Sequence, residues 1–290
     1  MDYALHILIF VGIYAILAVS LDLIVGHGGF LSIAHGAFFG LGAYASALMA
    51  VQLGAPFLVG ILCGMAVAAI VSLLVSLPSL RLHGDFFVVA SFGFQIIAFS
   101  IFNNWMELTR GPLGIPGIPQ PEVLGWQVDS NVEFVVLVTV IATMTYLVVW
   151  RITTSPFGRV LHAIREDEVV AKAMGKNTLR FKVTVFAVSA ALAASAGGLY
   201  AHYITYIDPT SFTIMESILI ISMVIIGGAG RLWGPLIGAI VLVTLPELLR
   251  FVGLPSSMAA SVRQIVYGVL LVVMMMLRPR GLVGTYAFGR

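Results

Sequence analysis

Charge is what this sequence has least of: Asp, Glu, Lys and Arg make up 10% of its 290 residues, against ~25% in a soluble globular domain. That scarcity excludes water as the main solvent of the folded chain and leaves no room for a sizeable soluble domain. Basic residues exceed acidic ones by only two and are not interleaved with aromatics, so no nucleic-acid footprint is present. The single cysteine, Cys63, lies within an apolar run, which excludes a disulfide framework and thiolate metal sites. It reads as a packed residue of the lipid phase. No basic region precedes the first apolar run, which follows Met1-Asp2-Tyr3-Ala4, so that run is expected to stay as a helix and not be cleaved. Nor does any set of carboxylates, histidines or hydroxyls have a catalytic or metal-binding spacing. Neither metal nor covalent chemistry is expected.

Apolar residues are plentiful: 60% of the chain, with a mean hydropathy of +1.06. Runs long enough to cross a bilayer, about 20 residues as helix, recur from one end to the other. They predict an all-α, polytopic bundle of transmembrane helices, one domain over 1–290, with about nine spans. The spans fall near 4–25, 30–51, 57–77, 86–102, 132–150, 183–201, 214–229, 235–250 and 263–277. Assigning alternate connectors to the cytoplasm places Arg81, Arg151, Arg159, Arg165, Lys172, Lys176, Arg180, Lys182, Arg231, Arg278, Arg280 and Arg290 on that side. Only Arg110, Arg250 and Arg263 lie outside. The positive-inside rule then predicts an external N-terminus and a cytoplasmic C-terminus.

Two glycine-rich blocks stand out, Gly26 to Tyr44 and Gly227 to Ala239. Glycine at this density serves either close helix packing or a discontinuous helix whose free backbone groups line a polar path. Both readings are open. The candidates for a translocation path are Asp22, Ser32, His35, Gly36, Gly227 and Gly228. Residues 24–31 and 225–232 share Ile, an aliphatic, Gly, Gly and Leu in register, which is weak support for an internal repeat. Gln95, Glu216 and Glu247 also fall in or at the ends of spans, where ionisable groups commonly face a bundle interior. Glu216, Glu247, Asp85 and Asp22 are close enough to predicted ends to reach the interface. His35 is deeper, and serves as substrate ligand, relay or packing histidine. The external connector 103–131, with Glu107, Arg110 and a run of glycines and prolines, suits a rigid surface that docks a partner or merely caps the bundle.

The stretch 151–182 is the longest cytoplasmic connector and holds seven of the fifteen basic residues. From Val160 to Met174 it has no helix breaker and ends at Gly175, a good C-terminal cap. One or two short amphipathic helices are expected there. The acids Glu166-Asp167-Glu168 would be repelled by an anionic leaflet, so a protein partner fits better than lipid headgroups.

The run Gly158-Arg159 to Ala163-Ile164-Arg165-Glu166-Asp167-Glu168, then Ala171 and Ala173-Met174-Gly175, resembles the cytoplasmic coupling loop of LivM-type permease subunits. These belong to branched-chain amino acid importers driven by ATP-binding cassettes. Gly26 to Tyr44, Thr109 to Pro119, Gly227 to Ala239 and Pro279 to Gly284 are similar to further segments of that family in order and spacing. The resemblance implies a homologous second permease subunit of the LivH kind, two ATPase subunits and an external solute-binding protein, with Arg159, Arg165, Glu166, Asp167, Glu168 and Gly175 coupling to the ATPases. ATP and Mg would be used by those partners. This chain has no phosphate-cradling loop: Gly175-Lys176-Asn177-Thr178 has Asn after the Lys, and Val170 stands where the first Gly belongs. Asp22 replaces a family amide and Phe30 a family Gln, so the solute stays open between branched-chain amino acids and related small polar or carboxylate solutes. A secondary transporter or channel without an ATPase would instead show paired intramembrane charges and no compact cytoplasmic helix.

Overall fold

The computed structural model describes residues 2–79, 86–123, 125–250, 256–278 and 281–284. Arg81, Asp85, Pro279, Arg280 and Arg290 lie outside them, as do the side chains of Glu247, Arg250 and Arg263. The described chain is all-α apart from four two-residue strands. Its helices are α1 (Asp2–Asp22), α2 (His35–Leu53), α3 (Phe57–Ser79), α4 (Phe86–Asn104), α5 (Asn131–Thr154) and α6 (Pro156–Glu166). They continue with α7 (Glu168–Ala173), α8 (Thr178–Ile204), α9 (Ile214–Gly227), α10 (Trp233–Arg250) and α11 (Ser256–Leu277). Each apolar segment read as a span falls on one of α1–α5 or α8–α11. Among the described residues six helices, α1 to α5 and α8, are long and apolar enough to cross a membrane. Within the residues whose side chains are described, the apolar stretches Ile214–Gly227 of α9, Trp233–Pro246 of α10 and Ile265–Met274 of α11 are shorter. With 14 residues, α9 is about 21 Å long, short of a hydrocarbon layer of about 30 Å.

At the centre lies α8, packed on α1, α2 and α3 through small residues. Ala190, Ala193, Ala194, Ala196 and Ala201 are fully buried. A side chain at Gly42 of α2 would collide with the Ala194 backbone, and one at Gly197 with the Phe39 carbonyl. Missing Cβ atoms therefore set the approach of these helices, as expected where lipid supplies no hydrophobic drive between them. Outward faces of α3, α4 and α5 carry exposed Leu62, Ile70, Val89, Ile97, Val136 and Met144, the solvent-facing pattern of an apolar phase. At one end, β1 (Ile115–Pro116) pairs antiparallel with β4 (Tyr206–Ile207), and β2 (Glu122–Val123) with β3 (Trp126–Gln127).

The largest departure from the expected spans is at the first glycine block. A helix was expected from residue 30 after a tight link at Gly26–Gly29. Instead α1 widens into a π turn at Leu23–His27, residues 28–34 leave helical geometry, and α2 starts only at His35. Thus the discontinuous reading describes 26–34, and the close-packing reading describes the glycines of α2. Close packing also describes the second block: side chains at Gly227, Gly234 and Gly238 would strike the backbone of the facing helix.

The end of α9 is closed from a distance. Leu282 and Val283 donate their amides to the carbonyls of Ile226 (2.9 Å) and Gly227 (3.0 Å), groups that a helix C-terminus otherwise leaves without partners. Gly281, at φ +69°, lies against Gly228 so closely that no side chain fits.

Candidate functional site

Three polar features gather around the interruption between α1 and α2. The first is a node at the start of α2. Gln95 of α4 accepts from the Ala37 amide (2.7 Å) and from Ser217 Oγ (3.1 Å), and donates to the Phe212 carbonyl (2.9 Å). Ser217 Oγ also accepts from the Gly36 amide (2.8 Å). Free amides at the first turn of α2 are thus satisfied by side chains of α4 and α9, as a helix begun inside a bundle requires. His35, fully buried, pairs its Nε2 with Ser20 Oγ at 2.8 Å. Its Nδ1 has no partner among the described residues.

The second feature lies at the end of α1 and the π turn that follows it. Asp22, fully buried, accepts the Gly230 amide at 2.9 Å. Its other oxygen faces His27 Nε2 at 3.5 Å, and neither atom is hydrogen-bonded. His27 Nδ1 meets His162 Nε2 of α6 at 3.3 Å. Burial first, and then the nearby Arg165 guanidinium, hold the His162 imidazole below its usual range. A side chain at Gly26 would collide with both Asp22 and the Gly230 backbone, so the two glycine blocks meet in space. Arg165 closes the set: its guanidinium donates 2.6 Å to the Gly26 carbonyl and 2.9 Å to Glu166, and its stem lies on Gly29. One side chain of α6 therefore holds the backbone of the interruption.

The third feature is the helix pair α6–α7. Ser155, with Pro156 at the first helical position, caps α6 by accepting from Gly158 at 3.3 Å. Asp167 ends α6 in extended backbone and caps α7, accepting from Val169 (2.8 Å) and Val170 (3.0 Å). The run that sequence left as one or two helices is two, because Asp167 offers its carboxylate to free amides. Beyond α7, Gly175 takes φ +77° as the expected terminator. Leu161 and Ile164 point into the bundle, whereas Val169, Val170 and Met174 are 76%, 54% and 73% exposed beside the exposed Arg159, Glu166 and Asp167. Glu168 ties α7 to α8 through Lys182 (2.6 Å) and Thr178 (2.9 Å), with Lys172 at 3.0 Å. Partial burial raises its carboxyl, but the bonds from Lys182, Lys172 and Thr178 outweigh this and hold it at about 2.

Against known sequences, residues 3–275 match the family described as branched-chain amino acid transport system / permease component. The chain belongs to this permease family. It is 34% identical over 294 residues to the high-affinity branched-chain amino acid transport system permease protein LivM of Escherichia coli K12, covering 93% of this chain and 67% of that one. It is 26% identical to a probable branched-chain amino acid transport permease protein LivM of Methanocaldococcus jannaschii, over 97% and 93% of the two chains. Similarity extends to the permease protein LivH of the same E. coli system, at 24% over 93% and 91%. No solved structure matches.

The permease brings together much of what the sequence singled out, in two places. Asp22, Gly26 and Arg165 share the cluster at the π turn, whereas Ser32, His35 and Gly36 belong to the node above it. Ser32 Oγ accepts from the Ala34 amide at 3.3 Å. Gly227 and Gly228 pack against α10 and the 281–283 segment. Of the acids read either as facing the interior or as reaching the interface, Asp22 and Glu216 stay inside the bundle. Asp22 does not reach an interface; it is fully buried. Phe30 packs edge-on to Phe87, 5.3 Å between rings, under the Lys182 ammonium. Glu216 is bonded to Tyr14 within the bundle. Sequence reading missed His27, His162 and Ser217, and gave Gln95 no role. Its only signal for them was polarity inside or beside an apolar run.

Proposed function

We propose that this permease is the membrane-spanning subunit of an ATP-binding-cassette importer that carries branched-chain amino acids, or a related small solute, into the cell. It has about nine spans, α1 to α5 and α8 to α11, with the short α9 extended by the 3-10 turn Pro209–Phe212 before it, in the bacterial inner membrane. Its N-terminus is external and its C-terminus cytoplasmic, as the basic residues of 151–182 favour. A homologous permease completes the membrane part, two ATPases using ATP and Mg dock at α6–α7, and a solute-binding protein delivers from outside. The similarity to both LivM and LivH supports the pairing of two homologous permeases.

The observation that carries the mechanism is the bond from Arg165 to the Gly26 carbonyl. Through it, α6 grips an irregular backbone segment, and broken helices are where many transporters build their solute and ion sites. The apolar and charged surface of α7 offers an ATPase a contact, and Glu168 transmits its displacement to α8. Moving α6 relative to α1 withdraws the guanidinium from Gly26, which frees residues 23–34 to rearrange and opens the path toward the cytoplasm. In the resting position the guanidinium bond and the Asp22–Gly230 bond keep that end shut.

Proteoliposomes holding the permease with its co-purifying ATPases test this reading, with uptake and solute-stimulated ATP hydrolysis followed together. Glu168→Arg sets a third cation against Lys172 and Lys182. It should abolish both activities while the protein still inserts. Uptake that proceeds without any ATPase, or survives the reversal unchanged, refutes the assignment.

A further inference from the structure

One intramembrane acid takes no part in that coupling. Glu216, in the first turn of α9, accepts a 2.5 Å hydrogen bond from the Tyr14 hydroxyl through Oε1. Its Oε2 has no partner among the described residues, and no Lys, Arg or His there comes within ion-pair distance of it. Tyr14 is twelve residues beyond the first residue of α1, so the acid stands about 18 Å along that helix. That is near the middle of a hydrocarbon layer of about 30 Å, where a carboxylate without a counter-charge is costly.

Beside it is a cavity of about 250 Å³ whose wall includes His6, Phe10, Tyr14, Leu219, Val243 and Tyr267. Glu216 stands behind this wall and meets it through Tyr14, whose hydroxyl it bonds, one turn before Leu219 on α9. His6, Phe10 and Tyr14 recur every fourth residue along α1 and form one aromatic stripe, with Phe10 and Tyr14 6.4 Å apart at 24°. Ring faces are electronegative and attract cations; the remaining wall is aliphatic. That volume falls a little below the roughly 300–1,000 Å³ of pockets for drug-sized ligands, so it suits a small solute.

We propose that this cavity is a station on the solute path that holds a primary ammonium group against the ring of Tyr14, with Glu216 behind it, while the apolar body of the solute lies on Leu219 and Phe10. The assignment rests on the import reading and sharpens it. An aliphatic amino acid meets both requirements, whereas a small carboxylate without an amino group is repelled by Glu216, and urea leaves the apolar wall without a partner.

The test uses the assembled importer in vesicles. Cys63→Ala removes the single native thiol, and Leu219→Cys or Val243→Cys places a new one in the cavity. Each is labelled with methanethiosulfonates bearing either an ammonium or a sulfonate. The ammonium reagent should react roughly tenfold faster or more, the scale of field focusing in a charged cleft, and the two rates should converge in Glu216→Gln. Equal rates in the parent, or a preference that survives Glu216→Gln, overturn the proposal. ATP-driven leucine uptake should fall roughly tenfold in Glu216→Gln and largely return in Glu216→Asp; undiminished uptake in Glu216→Gln also overturns it. A parent assembly without ATP-driven uptake refutes the import reading instead, and the labelling ratio then judges the cavity alone.

Discussion

Truncating Arg165 to Ala isolates the contact between α6 and the interruption. The guanidinium is 12% exposed and donates a 2.6 Å bond to the Gly26 carbonyl. A hydrogen bond from a charged donor is worth about 1.5–3 kcal/mol. Taking about 2 kcal/mol, the open population of residues 23–34 should rise roughly thirtyfold, since each 1.4 kcal/mol is a factor of ten. Hydrogen exchange followed by mass spectrometry reads this directly. Amides of 23–34 should exchange faster by about that factor, while those of the buried middle of α8 keep their rates. Arg165→Lys should give an intermediate result, because an ammonium reaches one acceptor but lacks the planar fork. In the reconstituted importer, ATP hydrolysis in the Ala variant should persist with uptake reduced, the signature of lost coupling. Unchanged exchange at 23–34 would sink the reasoning, whatever happened to transport.

Glu168 sets a pH dependence. Its folded value of about 2 lies below the ordinary 4.5, so its ties to α8 act fully above about pH 4.5 and are lost as pH falls toward 2. With the side chain 32% exposed, solvent screening limits the effect to about 1 kcal/mol. Protection factors of α7 amides should drop across that window and stay flat in Glu168→Gln. Gln95→Leu leaves the Ala37 amide, the Ser217 hydroxyl and the Phe212 carbonyl short of a partner. At about 1–3 kcal/mol for each buried group left unsatisfied, the melting temperature in detergent should fall by several degrees at least, and an unchanged one refutes the node. Gly42→Val forces α2 away from the Ala194 backbone. Overpacking of about 1–3 kcal/mol should lower the melting temperature and the yield of assembled complex, whereas Gly93→Ala, in open space on α4, should cost less.

The membrane-spanning layout was legible because each run of α1 to α5 and α8 is long, apolar and bounded by polar or glycine-rich residues. The helix pair α6–α7 was legible too, since Ser155-Pro156 and Gly175 mark helix ends through local chemistry. So was the start of α9: the expected span opens at 214, where the helix begins after the short 3-10 turn Pro209–Phe212. The interruption after α1 stood as one of two readings, because glycine serves close packing and broken helices alike. What chose between them was Gln95 and Ser217, remote partners that sequence spacing does not pair. The same holds for His27 with His162 and for Glu216 with Tyr14. A lone polar residue in an apolar run announces that a partner exists and gives no hint of which helix brings it.

The clasp of residues 281–283 on α9 also bears on biosynthesis. Helix α9 enters the bilayer before α10 and α11 have been made, yet the carbonyls of its last turn receive their donors only from the segment that follows both. At a synthesis rate of about 5–20 residues per second, several seconds separate the two events. During that interval the unfinished end must be held by lipid headgroups, water or an insertion factor. Quality control in the cell thus has a natural checkpoint here, since a chain stalled before residue 281 presents the open end of α9 and a completed one conceals it.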